Sequence, residues 1–174
     1  MKNPPSQSLG ETIIASEQAW RAADHVLKVT FPVVQDPKLL LRALEHLDSA
    51  ARKTISAILK HEYIYRQIPL KRSGAENLEQ FFNQCTQQYN LSIADSARLR
   101  SLLKLGKRHR ASSMEFSQKG KMMVLDDEQG SIAITSPQLL ELSEAVRTLQ
   151  LQLQKELKTT AQQKAEEHQS SRNI

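Results

Sequence analysis

Residues 35–68 read QDPKLLLRALEHLDSAARKTISAILKHEYIYRQI, and this stretch decides the fold class. Asp36 followed by Pro37 is a helix start: the carboxylate can accept from the free amides of the first turn, and proline lacks its donor where none is needed. From there Leu40, Leu44, Leu47, Ala51, Ile55, Ile58 and Tyr65 fall on one face of an α-helix. Ala43, Ala50, Ala57 and Ile64 widen that face, while Arg42, Glu45, Ser49, Lys53, Ser56 and Lys60 form the wet side. So wide an apolar sector predicts a helix of about thirty residues at the centre of a bundle, touching several neighbours.

Working outward, residues 11–31 place Ile13, Trp20, Ala23, Leu27 and Phe31 on one stripe, giving a first helix expected to stop near Pro32. Downstream, PLKRSG breaks the chain, and residues 75–89 carry Leu78, Phe81, Phe82, Cys85 and Tyr89 as the stripe of a third, shorter helix. A fourth runs from Ser92 to Gly106 with Leu99, Leu102, Leu103 and Leu105 on one side; Gly106 either ends it or lies within it. Lys121–Leu125 and Ser131–Thr135 flank an Asp-Asp-Glu-Gln-Gly turn and predict a β-hairpin, with Met122, Val124, Ile132 and Ile134 leaning on the helices. Ser136 and Pro137 open a fifth helix whose Leu139, Leu142, Val146, Leu149, Leu153 and Leu157 alternate three and four apart, like a short coiled-coil seam. The expectation is an all-α protein: one five-helix bundle over residues 11–158 with a small β-hairpin between the fourth and fifth helices. Residues 1–10 and 159–174, with little to bury, are expected to be flexible.

Composition agrees with helices: 5 Gly and 6 Pro in 174 residues leave few breakers, and 39% hydrophobic residues suffice for one core. A lone cysteine, Cys85, cannot form an internal disulfide, and no run nears the ~20 apolar residues of a membrane span, so a cytoplasmic protein without membrane contact is expected. No phosphate-loop, dinucleotide, zinc-protease or serine-hydrolase motif occurs, which predicts no cofactor, no metal and no assigned catalytic residue. Cys85 lies on an apolar stripe, where a thiol is a small hydrophobe with a raised pKa. His61 lies inside the apolar sector of the second helix and is expected to be a satisfied core-edge histidine. Asp24 with Lys28 and Asp48 with Arg52 are one turn apart and predict polar ties. Asp126 and Asp127 are expected to shape a turn.

The positive charge is concentrated. Arg98, Arg100, Lys104, Lys107, Arg108, Arg110, Lys119 and Lys121 stand against Glu115 alone between residues 98 and 121, a local balance of +7 in a chain of net +5. Such a block fits the electrostatic footprint of a phosphate-binding edge, and these eight residues are the candidate nucleic-acid contacts.

The long helix opened by DPKLL, the further helices, and the segment SSMEFSQKGKMMVLDDEQGSIAIT before a last helix resemble small uncharacterised archaeal proteins that look like the HEPN helical-bundle superfamily. The resemblance implies a helical bundle, RNA association, and, in catalytic members, metal-independent cleavage by an Arg and a His with four to six residues between them. No such pair occurs: Arg21/His25 and Arg42/His46 have three intervening residues, and Lys104/His109 begins with lysine. The leading expectation is a non-catalytic module that holds RNA phosphates. One alternative is a HEPN-type endoribonuclease with His109 as its acid/base; another is a protein-interaction or homodimer scaffold built on the fifth-helix seam.

Overall fold

The computed structural model describes residues 8–66 and 68–170. α1 spans Leu9–His25, and its first turn is closed by a capping box in which Ser8 accepts from the Glu11 amide while Glu11 accepts from the Ser8 amide. The rod does not stop at Pro32. It passes through a π-helical turn, Val26–Thr30, and continues as α2, Phe31–Val34, before Gln35 adopts a left-handed conformation. Pro32 therefore sits in the first turn of a fresh helical segment, where its missing N–H costs nothing.

α3, Lys38–Arg66, is the central helix, packing against α1, α5 and α6. Its start is as the sequence suggests, with Asp36 Oδ1 accepting from the Lys38 amide at 3.0 Å. Leu40, Ala43, Leu44, Leu47, Ala50, Ala51, Ile55, Ala57 and Ile58 are all buried. α4, Gly74–Gln80, leads into a second π turn, Phe81–Cys85. Phe81, Phe82, Cys85 and Tyr89 are all driven inward there, as the stripe predicts.

α5 spans Ile93–Ala111 and α6 Ser136–Ser170. The α6 seam turns into its own bundle: Leu139, Leu142, Val146, Leu149 and Leu153 are buried, and Trp20 Nε1 donates to the Ser143 carbonyl at 3.1 Å. The scaffold alternative thus loses the free apolar seam on which it was built. Of the tail expected to be flexible from residue 159, the described part is helical as far as Ser170, and residues 161–170 are exposed. Ala161, Gln162, Lys164, Ala165 and Glu166 are strong helix formers and extend an established helix, and Lys164 Nζ lies 4.3 Å from the centroid of the Tyr65 ring. Of the expected flexible N-terminus, residues 1–7 lie outside the described residues, as do residues 171–174 at the other end.

Between α5 and α6 lies a three-stranded antiparallel sheet rather than one hairpin: β1 Met114–Gln118, β2 Lys121–Asp126 and β3 Gly130–Ile134, in that order. The expected hairpin is β2–β3, with Met122, Val124 and Ile134 buried and Ile132 packed beside them. β1 is the correction. It pairs with β2 along its whole length, but its apolar side chains, Met114 and Phe116, are exposed, so it carries no buried-face pattern. Lys119 and Gly120 join β1 to β2, both at positive φ as a two-residue type I′ turn demands.

Candidate nucleic-acid interface

The basic segment is built on the end of α5. Ser92 caps this helix by accepting from the Asp95 amide at 3.0 Å, and the helix continues through Gly106. Gly106 faces Asp48 of α3: a Cβ there would run into Asp48 Oδ1 and lie 2.9 Å from Asp48 Cβ. Glycine lets the buried Asp48 carboxylate sit against the α5 backbone. Gly106→Ala should lower stability by about 1–3 kcal/mol through overpacking, despite the roughly 1 kcal/mol it gains in helix propensity; urea unfolding measures the net loss.

The eight candidate cations do not form one free patch, because the fold supplies carboxylates to every arginine. Arg98 pairs with Asp95 at 3.2 Å. Arg100 pairs with Glu79 at 3.2 Å and lies over the Phe82 ring, 4.0 Å from its centroid. Arg108 is nearly buried; its Nε donates to Asp126 Oδ2 at 2.7 Å and its Nη2 to the Gly130 carbonyl at 2.6 Å. Asp126 also accepts from the Gln129 amide at 2.6 Å and the Glu128 amide at 3.0 Å, so Arg108 fastens the β2–β3 turn to α5. These amides and then Arg108, against some desolvation, hold the Asp126 carboxyl below its ordinary value. Arg110 pairs with Asp48, which Arg52 Nε also grips through both oxygens at 3.0 and 3.1 Å.

Lys104, Lys107, Lys119 and Lys121 are exposed and carry no ion pair among the described residues. They are split in two. Lys104 and Lys107 lie one turn apart on α5, whereas Lys119 and Lys121 sit at the β1–β2 turn, about 17 Å along the hairpin from Asp126 at ~3.4 Å per residue. The groove beside Lys104 and Lys107 is electrostatically neutral: with Arg108 they face Asp126, Asp127 and Glu128.

His109 is clamped between two carboxylates. Its Nδ1 lies 2.5 Å from Glu115 Oε1 and its Nε2 3.1 Å from Glu45 Oε1. Burial alone would lower the imidazole pKa, but the hydrogen bonds to Glu45 and Glu115 outweigh it and raise it above 6.5. The proton is therefore bound more tightly in the folded chain. The stability this clamp lends is complete below the unfolded pKa and is lost as pH rises through the folded one. Unfolding curves at pH 6 and pH 9 should differ by about 1 kcal/mol more in the native chain than in His109→Gln.

A second polar cluster was not read from the sequence as a unit. His61, Glu62 and Tyr89 are buried together where α3 meets the end of the second π turn. Glu62 accepts from the Tyr89 hydroxyl at 2.8 Å and from Gln88 Nε2 at 3.1 and 3.2 Å, with His61 Nδ1 at 3.4 Å and Arg66 at 3.6 Å. Burial pushes its carboxyl up, but His61, Tyr89, Gln88 and Arg66 together bring it below the ordinary value. His61 Nε2 faces Thr160 Oγ1 at 3.2 Å; that hydroxyl donates to the Glu156 carbonyl at 3.0 Å, so the imidazole is the donor to Thr160. His61 is satisfied, as expected. Cys85 lies in the adjoining core, its thiol pushed up to about 11 by burial and the Glu62 charge. The available signal was Glu62 itself, a carboxylate four residues after Ile58 on an apolar face.

The two expected ties are present: Lys28 meets Asp24 at 2.6 Å, and Arg52 meets Asp48. Among the described residues, no three His, Cys, Asp or Glu side chains converge to hold a metal ion, and no helix is long and apolar enough to cross a membrane. The chain matches no known protein family, no curated protein and no solved structure.

Proposed function

We propose that the protein is a non-catalytic binding module that contacts nucleic-acid phosphates, RNA in preference, along the outer face of α5. The observation that carries this reading is the pair Lys104 and Lys107, exposed one turn apart without carboxylate partners among the described residues, with Arg100 on the same helix. Ammonium groups so placed neutralise phosphates by counterion release and read no sequence. RNA is preferred because the HEPN-like layout implies it. The non-catalytic choice follows from His109, whose ring nitrogens are both engaged by carboxylates and would have to leave them to move a proton on a substrate.

Fluorescence anisotropy of a short single-stranded RNA tests it. Affinity should fall steeply with salt, and Lys104→Glu with Lys107→Glu should abolish most binding and flatten the salt slope by about 1.4, at ~0.7 per lost contact. Unchanged affinity in that double variant would sink the reading, and RNA cleavage abolished by His109→Ala would replace it with the nuclease.

A further inference from the structure

The other side of α5 carries a more positive groove than the one flanked by Lys104 and Lys107. Between α3 and α5 a furrow is lined by Glu45, Asp48, Arg52, Lys53, His109 and Arg110. Four bases face two acids there, leaving a net charge of +2 with His109 protonated and +1 without, against zero for the groove across the helix. Both acids are already engaged, Glu45 by Arg42 and His109, Asp48 by the two arginines.

Asp48 is nearly buried while Arg52 and Arg110 are 38% and 51% exposed, so each guanidinium is anchored at its inner edge and open at its outer one. Arg52 spends only Nε–H on Asp48, leaving both Nη groups; Arg110 spends only Nη1, leaving Nε–H and Nη2. No other hydrogen bond of either guanidinium occurs among the described residues. Lys53 lies on the same wall with only a hydroxyl partner, Ser49 Oγ at 2.9 Å. Two planar forks fixed by one buried carboxylate line the same groove with donors unspent, and such forks grip an oxyanion through paired N–H···O bonds. Gly106 makes room for the anchor, since any Cβ there would displace Asp48.

We propose that the α3/α5 groove is a phosphate site in which Arg52 and Arg110 hold the oxyanion, with Lys53 beside them. The inference deepens the phosphate-contact reading above and rests on it for the choice of ligand. The phosphate is either part of a nucleic-acid strand or a free monoester, and the two sources are separable.

The test is inorganic phosphate titrated into the full chain carrying ¹⁵N-arginine, at constant ionic strength with chloride as control. The Nε–H signals of Arg52 and Arg110 should shift saturably with phosphate and not with chloride. Arg52→Lys and Arg110→Lys, which keep the charge and an ion pair to Asp48, should each weaken binding about tenfold, since an ammonium cannot replace the fork. Absence of a saturable shift in the native chain overturns the site, whatever the variants do, and so does equal phosphate affinity in well-folded Arg→Lys variants. The RNA arm separates the two readings. RNA that binds without moving the Arg52 and Arg110 signals leaves the α5 reading standing and removes this site; phosphate that moves them while RNA fails to bind keeps the site and assigns it to a free monoester.

Discussion

Glu62→Ala should cost about 3–5 kcal/mol, the range for removing one partner of a buried ionic cluster. The carboxylate is fully buried and joins four side chains from two parts of the chain: His61 and Arg66 on α3, and Gln88 and Tyr89 after the second π turn. Without it the Tyr89 hydroxyl retains only His61 Nδ1, 3.1 Å away, and Arg66 keeps only its pair with Glu156. Glu62→Gln keeps the volume but turns an amide toward the Gln88 amide, and should cost about 1–3 kcal/mol. The pH dependence identifies the cause. A carboxyl held below 4.5 contributes stability that is present above that pH and lost as pH falls through the folded value. Urea unfolding from pH 7 to pH 3 should therefore show a shallower acid limb in Glu62→Gln than in the native chain; parallel limbs would mean that Glu62 is not the titrating group.

Phe81→Ala should cost a similar amount, about 3–5 kcal/mol. Its ring is fully buried and meets Phe82 edge-on, with centroids 5.0 Å apart and planes at 71°. Truncation opens a cavity under the π turn that carries Cys85 toward the Glu62 cluster. Leu78→Ala, one turn earlier and only partly buried, should cost distinctly less; equal losses from the two would mean that this helix is held by its length rather than its inner face.

The parts of the fold that were legible are those whose signal is local. The α3 stripe, the Leu78 to Tyr89 stripe, the Asp36 start and the β2–β3 pair each announce themselves within a few turns or strand residues, and each lies where its spacing puts it, except at the end of the α3 stripe, where Ile64 and Tyr65 are exposed. β1 was not legible because a strand with both faces wet leaves no alternating burial. The charge balance at the candidate site is a different case. Charge counted along residues 98–121 sees only Glu115, which binds His109, whereas the partners of the arginines and the second partner of His109 lie outside the segment: Asp48 is 62 residues from Arg110, and Glu45 is 64 from His109. The i,i+4 pair Asp48 and Arg52 was readable; that Arg110 joins it, and that Gly106 makes room for the anchor, is information held only in the crossing of two helices.

The π turn before Pro32 has a consequence for how this chain can change length. The turn holds one residue more than an α-helical turn would, and Pro32 is tolerable because that surplus resets the ladder ahead of it. Deleting a residue from 26–30 alone would return the proline to a regular α-helix interior, a penalty of about 3 kcal/mol. Replacing Pro32 alone would leave the surplus residue with nothing to accommodate. Removed together, insertion and proline cancel, so the two are a single coupled trait and their effects on stability are non-additive.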